Sequence, residues 1–304
     1  MRFIRSAWPM VREAFSDWSE DNAPRLGAAL AYYTVFSLAP LLIIVIAIAG
    51  LVFGEEAARG QIVDQVRGLV GDDAGKAIQD MIARAQQPTS GLLATACSLV
   101  ALVFGASGVF GELQAALDTV WEVAPKPGRG LRGIIKDRFL SLTMVLGTGF
   151  LLLVSLVASA ALAAAGGAMR ELTPGLEAAA HVVETLVSFG VTTLLFAAMF
   201  KFLPDARVQW RDVWVGAIVT AALFTVGKFA IGLYLGHAGV TSAYGAAGSL
   251  VVILVWVYYS AQILLFGAEL TQVYATRTGS QVEPAPDAIK IERPSRPAPE
   301  RRPA

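Results

Sequence analysis

Two charged residues lie inside long apolar runs of this sequence, where ionised side chains are costly. Lys228 lies about 15 residues into its run, and Glu269 about 20 residues into another. Charge at such depth suggests a solute pathway or a buried ion pair. The alternative for Lys228 is a lipid-facing side chain whose long stem snorkels to the interface. The two residues are predicted at different depths, so we expect no direct ion pair between them.

A second polar group consists of His181, Glu184 and His237, at the predicted outer ends of two apolar runs. These residues match the predicted depth of Lys228 better than Glu269 does. His181 and Glu184 are three positions apart and share one helix face. Three ligands from two helix ends are weak evidence for a metal site. We therefore expect solvated interface residues here, and no bound metal.

Pro40 interrupts the first apolar run and frees a backbone carbonyl one turn earlier. Hydroxyl groups gather just before it, on Tyr32, Tyr33 and Ser37. Transporters line polar cavities with broken helices of this kind. Proline is also frequent in ordinary membrane helices, so simple packing stays the alternative. Gln262, in the last apolar run, completes this set of candidate pathway residues.

The apolar runs decide the fold class. Hydrophobic residues make up 55% of the 304 residues, charged residues only 16%, and the mean hydropathy is +0.59. A spanning helix needs about 20 mostly apolar residues, and in lipid each backbone polar group must be satisfied within its own segment. We predict an all-α polytopic membrane helix bundle with six transmembrane helices, at about 26–53, 92–110, 139–165, 182–203, 213–235 and 246–274.

Glycines recur within these runs, at 105, 108 and 111 and again at 216 and 227. Small residues let helix backbones approach closely, which is their first explanation in a membrane. None of the spacings matches a phosphate-binding loop between a strand and a helix. A single cysteine excludes an intramolecular disulfide framework, and zero net charge provides no global field for nucleic acid.

The distribution of Lys and Arg predicts the orientation. If the N-terminus is cytoplasmic, 18 of the 24 basic residues fall on the cytoplasmic side and five on the opposite side. The loop 126–138 is basic, whereas the loop 236–245 has no Lys or Arg. The positive-inside rule then places both termini in the cytoplasm.

Three segments outside the spans are also interpretable. Residues 1–25 place an apolar stripe on one helix face, which predicts an interfacial amphipathic helix. Residues 55–90 predict two extracytoplasmic amphipathic helices separated near Gly71. The tail, 276–304, is rich in Pro and charge with few apolar residues, so we expect a disordered cytoplasmic tail.

Several stretches together resemble the YihY/BrkB family of bacterial inner-membrane proteins. The resemblance covers roughly residues 10–275. Asp118 departs from the asparagine of the family pattern and leaves the role of that position open. The stretches are Ala28–Pro40, Leu117–Trp121, Phe202–Asp205 followed by Trp210, Tyr244-Gly245, Trp256 and Gly267-Ala268-Glu269.

The resemblance implies a six-helix protein of unsettled activity, with members once labelled ribonuclease BN and others linked to serum resistance or lipid export. A ribonuclease needs a basic groove and metal-binding carboxylates. The only candidate cluster of cytoplasmic carboxylates is Glu112, Asp118 and Glu122 on one possible helix extension. Asp118 and Glu122 are four positions apart, and a solvated helix face explains that pair. We expect no enzyme activity, no cofactor and no nucleic-acid partner.

Two functions stay open from the sequence. The first is a transporter or lipid-moving protein with an envelope role, favoured by the intramembrane polar residues. The second is a structural or scaffolding membrane protein without transport. Membrane lipids are the expected partners, and a homo-oligomer or an envelope-protein partner is left open.

Overall fold

The computed structural model describes residues 2–70, 72–85, 92–128, 177–237, 248–278 and 282–291, with single helical positions at 133, 139, 143 and 147. Within these residues the chain is mostly helical, with two short antiparallel strand pairs. The helices are α1 Arg2–Glu20, α2 Ala23–Phe53, α3 Glu55–Val70, α4 Asp72–Ala85, α5 Leu92–Val120, α6 Glu177–Phe202, α7 Trp210–His237 and α8 Gly248–Thr278.

Five of the six predicted spans coincide with described helices, namely α2, α5, α6, α7 and α8. The predicted span 139–165 lies outside the described residues, except for the helical positions 139, 143 and 147. Four segments in the described part are long and apolar enough to cross a membrane: Ala23–Leu51, Thr185–Phe202, Trp210–Ile231 and Gly248–Thr278. The prediction of a helical membrane protein is confirmed, and the count of six spans stays a prediction.

The helices α2 and α5 pack antiparallel through glycine. A Cβ atom at Gly105 would lie 3.0 Å from Pro40 Cγ, and one at Gly108 would lie 3.2 Å from Ser37 Oγ. The helix α2 continues through Pro40 rather than ending there. Because Gly105 and Gly108 have no side chains, α5 leaves room for the proline ring and the Ser37 hydroxyl.

The helices α7 and α8 pack through two reciprocal glycine–threonine contacts. A Cβ atom at Gly216 would overlap Thr271 Oγ1, and one at Gly267 would overlap Thr220 Oγ1. Each threonine hydroxyl donates a hydrogen bond to the glycine carbonyl four residues earlier in its own helix, at 2.7 and 2.6 Å. Each hydroxyl is thus satisfied within its helix while its side chain fills the space beside the opposite glycine.

The helices α3 and α4 form as predicted, with the break at residue 71. Buried residues of both helices, among them Ile62, Ile78 and Ile82, pack against α2 and α8 in one apolar cluster. The helix α1 packs against α8 but leaves Trp8, Val11 and Phe15 exposed. That exposed apolar stripe suits a helix lying in the membrane interface, and the interfacial location stays a prediction.

The C-terminal tail departs from the prediction. Residues 282–291 form what we call the tail clasp: β3 (Glu283–Pro284) pairs with β2 (Ala206–Arg207), and β4 (Ala288–Lys290) pairs with β1 (Val123–Pro125). Further backbone hydrogen bonds run from Lys126 N–H to the Asp287 carbonyl at 2.9 Å, and from Ile291 N–H to the Glu122 carbonyl at 2.8 Å. The expectation of a disordered tail is wrong for 282–291, and the all-α prediction overlooks these strands.

The physical reason is that strand pairing uses backbone groups, which amino-acid composition does not report. The turn into β1 also depends on the backbone. Glu122 adopts the left-handed conformation (φ 54°) just after the end of α5, which redirects the chain toward the tail.

We predict that Gly267→Ala destabilises the protein. The added methyl group meets Thr220 between two packed helices, and such overpacking costs about 1–3 kcal/mol. Thermal unfolding of the purified protein in detergent measures the loss. The matched control is Gly190→Ala, because no described atom lies within 4 Å of its Cβ position. Thr220→Ala in the Gly267→Ala background should restore part of the stability, and equal melting temperatures for all variants would contradict the packing.

We predict that truncation after Thr278 lowers the melting temperature by roughly 5 °C or more, because several hydrogen bonds of about 1 kcal/mol each are lost. Truncation after Glu292 keeps both strands and serves as the control. The same detergent unfolding experiment compares the two. If the shorter chain melts like the full chain, the tail clasp does not stabilise the fold.

Candidate functional site

A cavity of about 560 Å³ lies between α2 and α5, at the end of the bundle that carries the tail clasp. We call it the α2–α5 cavity. Its volume lies within the range of small-molecule sites, about 300–1,000 Å³. Its wall is formed by Tyr33 of α2, by Gly108, Gly111, Glu112, Gln114, Ala115, Asp118 and Thr119 of α5, by Val123–Pro125, by Asp205 and by Ile291.

The α2 side of the cavity contains part of the predicted hydroxyl cluster. Tyr33 lines the wall, and the buried Ser37 lies next to Gly108, itself a wall residue. Both tyrosines are exposed, Tyr32 at 59% and Tyr33 at 43%, and the Tyr32 ring lies 4.8 Å from that of Phe36. Of this hydroxyl cluster Tyr33 lines the cavity, Ser37 lies next to its wall, and Tyr32 is not part of it.

The α5 side of the cavity is polar. Glu112 is half-buried, and Gln114 is only 6% exposed. Neither side chain hydrogen-bonds another residue in the part of the chain that the structure describes. A buried amide group normally has a hydrogen-bond partner, so the Gln114 side chain requires water or a ligand from the cavity.

Asp118, which is more buried than Glu112, stabilises the fold. It is 6% exposed, and its Oδ1 accepts a hydrogen bond from the Asp205 backbone N–H at 2.6 Å. The Asp205 carbonyl accepts in turn from Ala285 N–H at 2.8 Å. The interpretation of Asp118 as part of a solvated face is wrong, because its carboxylate is buried and binds the loop between α6 and α7.

This hydrogen bond joins two of the stretches that resembled a known family, Leu117–Trp121 and Phe202–Asp205. The Oδ1 atom of an asparagine could accept the same hydrogen bond from the Asp205 N–H. The aspartate at position 118 therefore keeps the acceptor that the asparagine of the family pattern would supply. The open question about this position is answered in part: its side chain connects α5 to the α6–α7 loop.

Four other predicted pathway residues do not line the α2–α5 cavity. Gln262 of α8 packs beside Gly27 and donates a hydrogen bond to the Ala23 carbonyl at 3.4 Å. Glu269 is fully buried within α8, between Gly267 and Thr271. Lys228 is exposed on α7, with Nζ 5.4 Å from the ring centroid of Phe229. Pro40 packs against Gly105. A pathway role for these residues stays a prediction.

The predicted outer polar cluster is described only along its backbone. His181 and Glu184 lie near the start of α6, and His237 ends α7. Their side chains lie outside what the structure describes. Among the described residues, no group of three His, Cys, Asp or Glu could hold a metal ion.

Sequence reasoning missed Gln114, Asp205 and Ile291 as members of one site. Gln114 faces the cavity from α5, just beyond the predicted span 92–110, and Asp205 and Ile291 approach from segments distant in sequence. The only available signal was the pair of family-like stretches that end in Trp121 and Asp205. It marked the right residues without indicating that they are in contact.

Comparison with known proteins agrees with these stretches. A protein family described as virulence factor BrkB matches residues 14–292, from within α1 to just past the tail clasp. A UPF0761 membrane protein of Rhodospirillum centenum is 28% identical over 285 residues, covering 92% of this chain and 61% of the relative. The corresponding Psychrobacter protein is 25% identical over 277 residues, covering 90% and 50%.

A UPF0761 membrane protein of Pseudomonas aeruginosa is 28% identical over 274 residues, covering 86% of this chain and 64% of the relative. The chain therefore spans about half to two thirds of the length of these curated relatives. No solved structure matches the chain.

Proposed function

The chain belongs to the virulence factor BrkB family of membrane proteins, and from that premise we propose a bacterial inner-membrane protein that moves small polar or amphipathic solutes. The observation that carries this proposal is the α2–α5 cavity, a space beside two helices whose largely apolar wall also contains Glu112, Gln114 and Asp118. Solute-binding sites of membrane transporters likewise lie between helices and place a few polar groups in the wall.

The proposed topology has six spans with both termini in the cytoplasm. The cavity wall and the hydrogen bonds of Asp118, Asp205 and Ala285 bring the start of α2, the end of α5 and the α6–α7 loop to one end of the bundle, together with the tail clasp. These are the segments in which the basic residues concentrate, and the positive-inside rule then assigns this end to the cytoplasm. The α2–α5 cavity would thus face the cytoplasm.

We propose that the protein is not an enzyme, and in particular not a ribonuclease. The reported relatives are named only as membrane proteins. The acidic residues near the cavity have a structural task at Asp118, and the cavity wall offers no basic residue among those described to bind a phosphodiester backbone. Membrane lipids are the proposed partners, with an envelope role for the activity.

A scaffold without transport is the second candidate. The reciprocal contacts of Gly216 with Thr271 and Gly267 with Thr220 favour it, because helices packed this closely leave no polar path between them. The two candidates differ in one requirement: transport needs the α2–α5 cavity to exchange its contents across the membrane, whereas a scaffold does not.

We predict that purified protein in liposomes moves solute or lipid, and that Gln114→Leu lowers the rate about tenfold by removing the amide from the cavity wall. The matched control is Gln61→Leu, on the exposed surface of α3 and away from the cavity. Rates are measured with entrapped solutes and fluorescent lipids, alongside a ribonuclease assay. No movement of any substrate by the wild type would favour the scaffold, and metal-dependent RNA cleavage would favour an enzyme.

We predict that an impermeant thiol reagent labels Lys76→Cys from outside intact cells, and labels Pro127→Cys only after the membrane is opened. Both positions are exposed, and Cys97→Ala provides a background without other thiols. External labelling at residue 127 would invert the proposed orientation.

A further inference from the structure

We infer that the α2–α5 cavity binds a cationic ligand through its ammonium group, with Glu112 as the counter-ion and with Gln114 and Tyr33 as further contacts from the cavity wall. This inference rests on the proposed function only in treating the cavity as a ligand site. The ammonium group can belong to a free small amine or to a lipid headgroup, since both present the same chemistry.

The charge of the wall favours a cation. The described lining residues include Glu112, Asp118 and Asp205, but no Lys or Arg. Asp118 is occupied by its hydrogen bond from Asp205 N–H, so the argument depends on Glu112. Glu112 is half-buried and has no ion pair with another described residue. A carboxylate in a partly desolvated site is stabilised by an opposite charge that also donates hydrogen bonds.

The Gln114 side chain is an independent sign of a ligand. It is more than nine-tenths buried, lines the cavity, and makes no hydrogen bond to a described residue. An amide so placed offers both a carbonyl acceptor and two N–H donors to whatever occupies the cavity. The carbonyl can accept from an ammonium or hydroxyl group. Glu112 and Gln114 are two positions apart and leave α5 on different sides, so they belong to different parts of the same cavity wall.

Tyr33 completes the site from α2. Its ring lies near Gly108, where a Cβ atom would be 3.8 Å from Tyr33 Cδ1, and the residue lines the same cavity. An aromatic ring attracts cations through its negative face, with the largest effect where water is partly excluded. A carboxylate with an aromatic ring is a suitable pair for a substituted ammonium group, which is bulky and weakly hydrated.

Other ligand classes fit less well. An anion would meet the Glu112 charge with no described cation in the wall to offset it. A purely apolar ligand would displace water from Glu112 and Gln114 without replacing its hydrogen bonds. A neutral polyol would satisfy Gln114 but leave the carboxylate charge uncompensated.

The test measures equilibrium binding of radiolabelled choline to the full chain in phosphatidylglycerol nanodiscs. We expect saturable binding at one site, no displacement by acetate or glycerol, and an affinity about tenfold lower or worse in Glu112→Gln. Gln114→Leu should weaken binding several-fold. The matched control is Glu56→Gln, an exposed carboxylate of α3 outside the cavity, which should bind like the wild type.

If Glu112→Gln does not purify as a monodisperse protein, Glu112→Ala provides the same comparison. Nanodiscs containing phosphatidylethanolamine distinguish the two sources: competition with choline identifies a lipid headgroup, and unchanged choline binding identifies a free amine. Absence of choline binding, displacement by acetate, or equal affinity in the Glu112 variants would overturn the inference. Solute movement without ammonium binding would overturn the ammonium site but not the proposed transport function. Ammonium binding without movement in liposomes would count only against transport.

Discussion

The hydrogen bond from the Asp205 backbone N–H to the Asp118 carboxylate holds together the end of the molecule that contains the cavity. It connects the last turn of α5 to the loop between α6 and α7, two segments separated by 87 positions in the chain. The same Asp205 then accepts from Ala285, so one residue links both segments to the tail clasp. A buried amide and a buried carboxylate satisfy each other here, which removes two desolvation costs at once.

The glycines of α5 explain where this helix packs tightly against α2 and where it borders the α2–α5 cavity. At Gly105 and Gly108 the wall of α5 has no side chains, so Pro40 and Ser37 of α2 fill the space. At Gly111 no described atom lies within 4 Å of the Cβ position, and Gly111 lines the cavity. Glycines with the same spacing along one helix therefore serve two purposes. Two of them admit a neighbouring helix, and the third borders an open space.

The sequence was sufficient for features that depend on apolar periodicity. It predicted the five spans that coincide with described helices, the two helices α3 and α4, and the apolar stripe of α1, because hydrophobic burial and backbone satisfaction in lipid depend on local pattern. It was insufficient for the tail clasp, because backbone pairing between distant segments leaves no mark on composition. For the cavity, Tyr33 was among the predicted residues and the predicted Ser37 lies next to the wall, but Gln114 was not predicted. A polar residue on an apolar helix has no signal that distinguishes packing from lining.

The environments of Lys228 and Glu269 show why membrane depth alone does not assign a function to a charged residue. Both were predicted from their position inside apolar runs, yet Lys228 is exposed on α7 and Glu269 is fully buried in α8. The difference follows from the neighbours in each helix. Glu269 is two positions from both Gly267 and Thr271, so it lies on a different face of α8 from the contact with α7. The helix α8 also packs against α1 and α2, so it is covered on more than one face. Lys228 neighbours the exposed Phe229, on a surface where a long stem can reach toward polar groups. The helix contacts, rather than the membrane depth, therefore decide which intramembrane charge is enclosed by the protein.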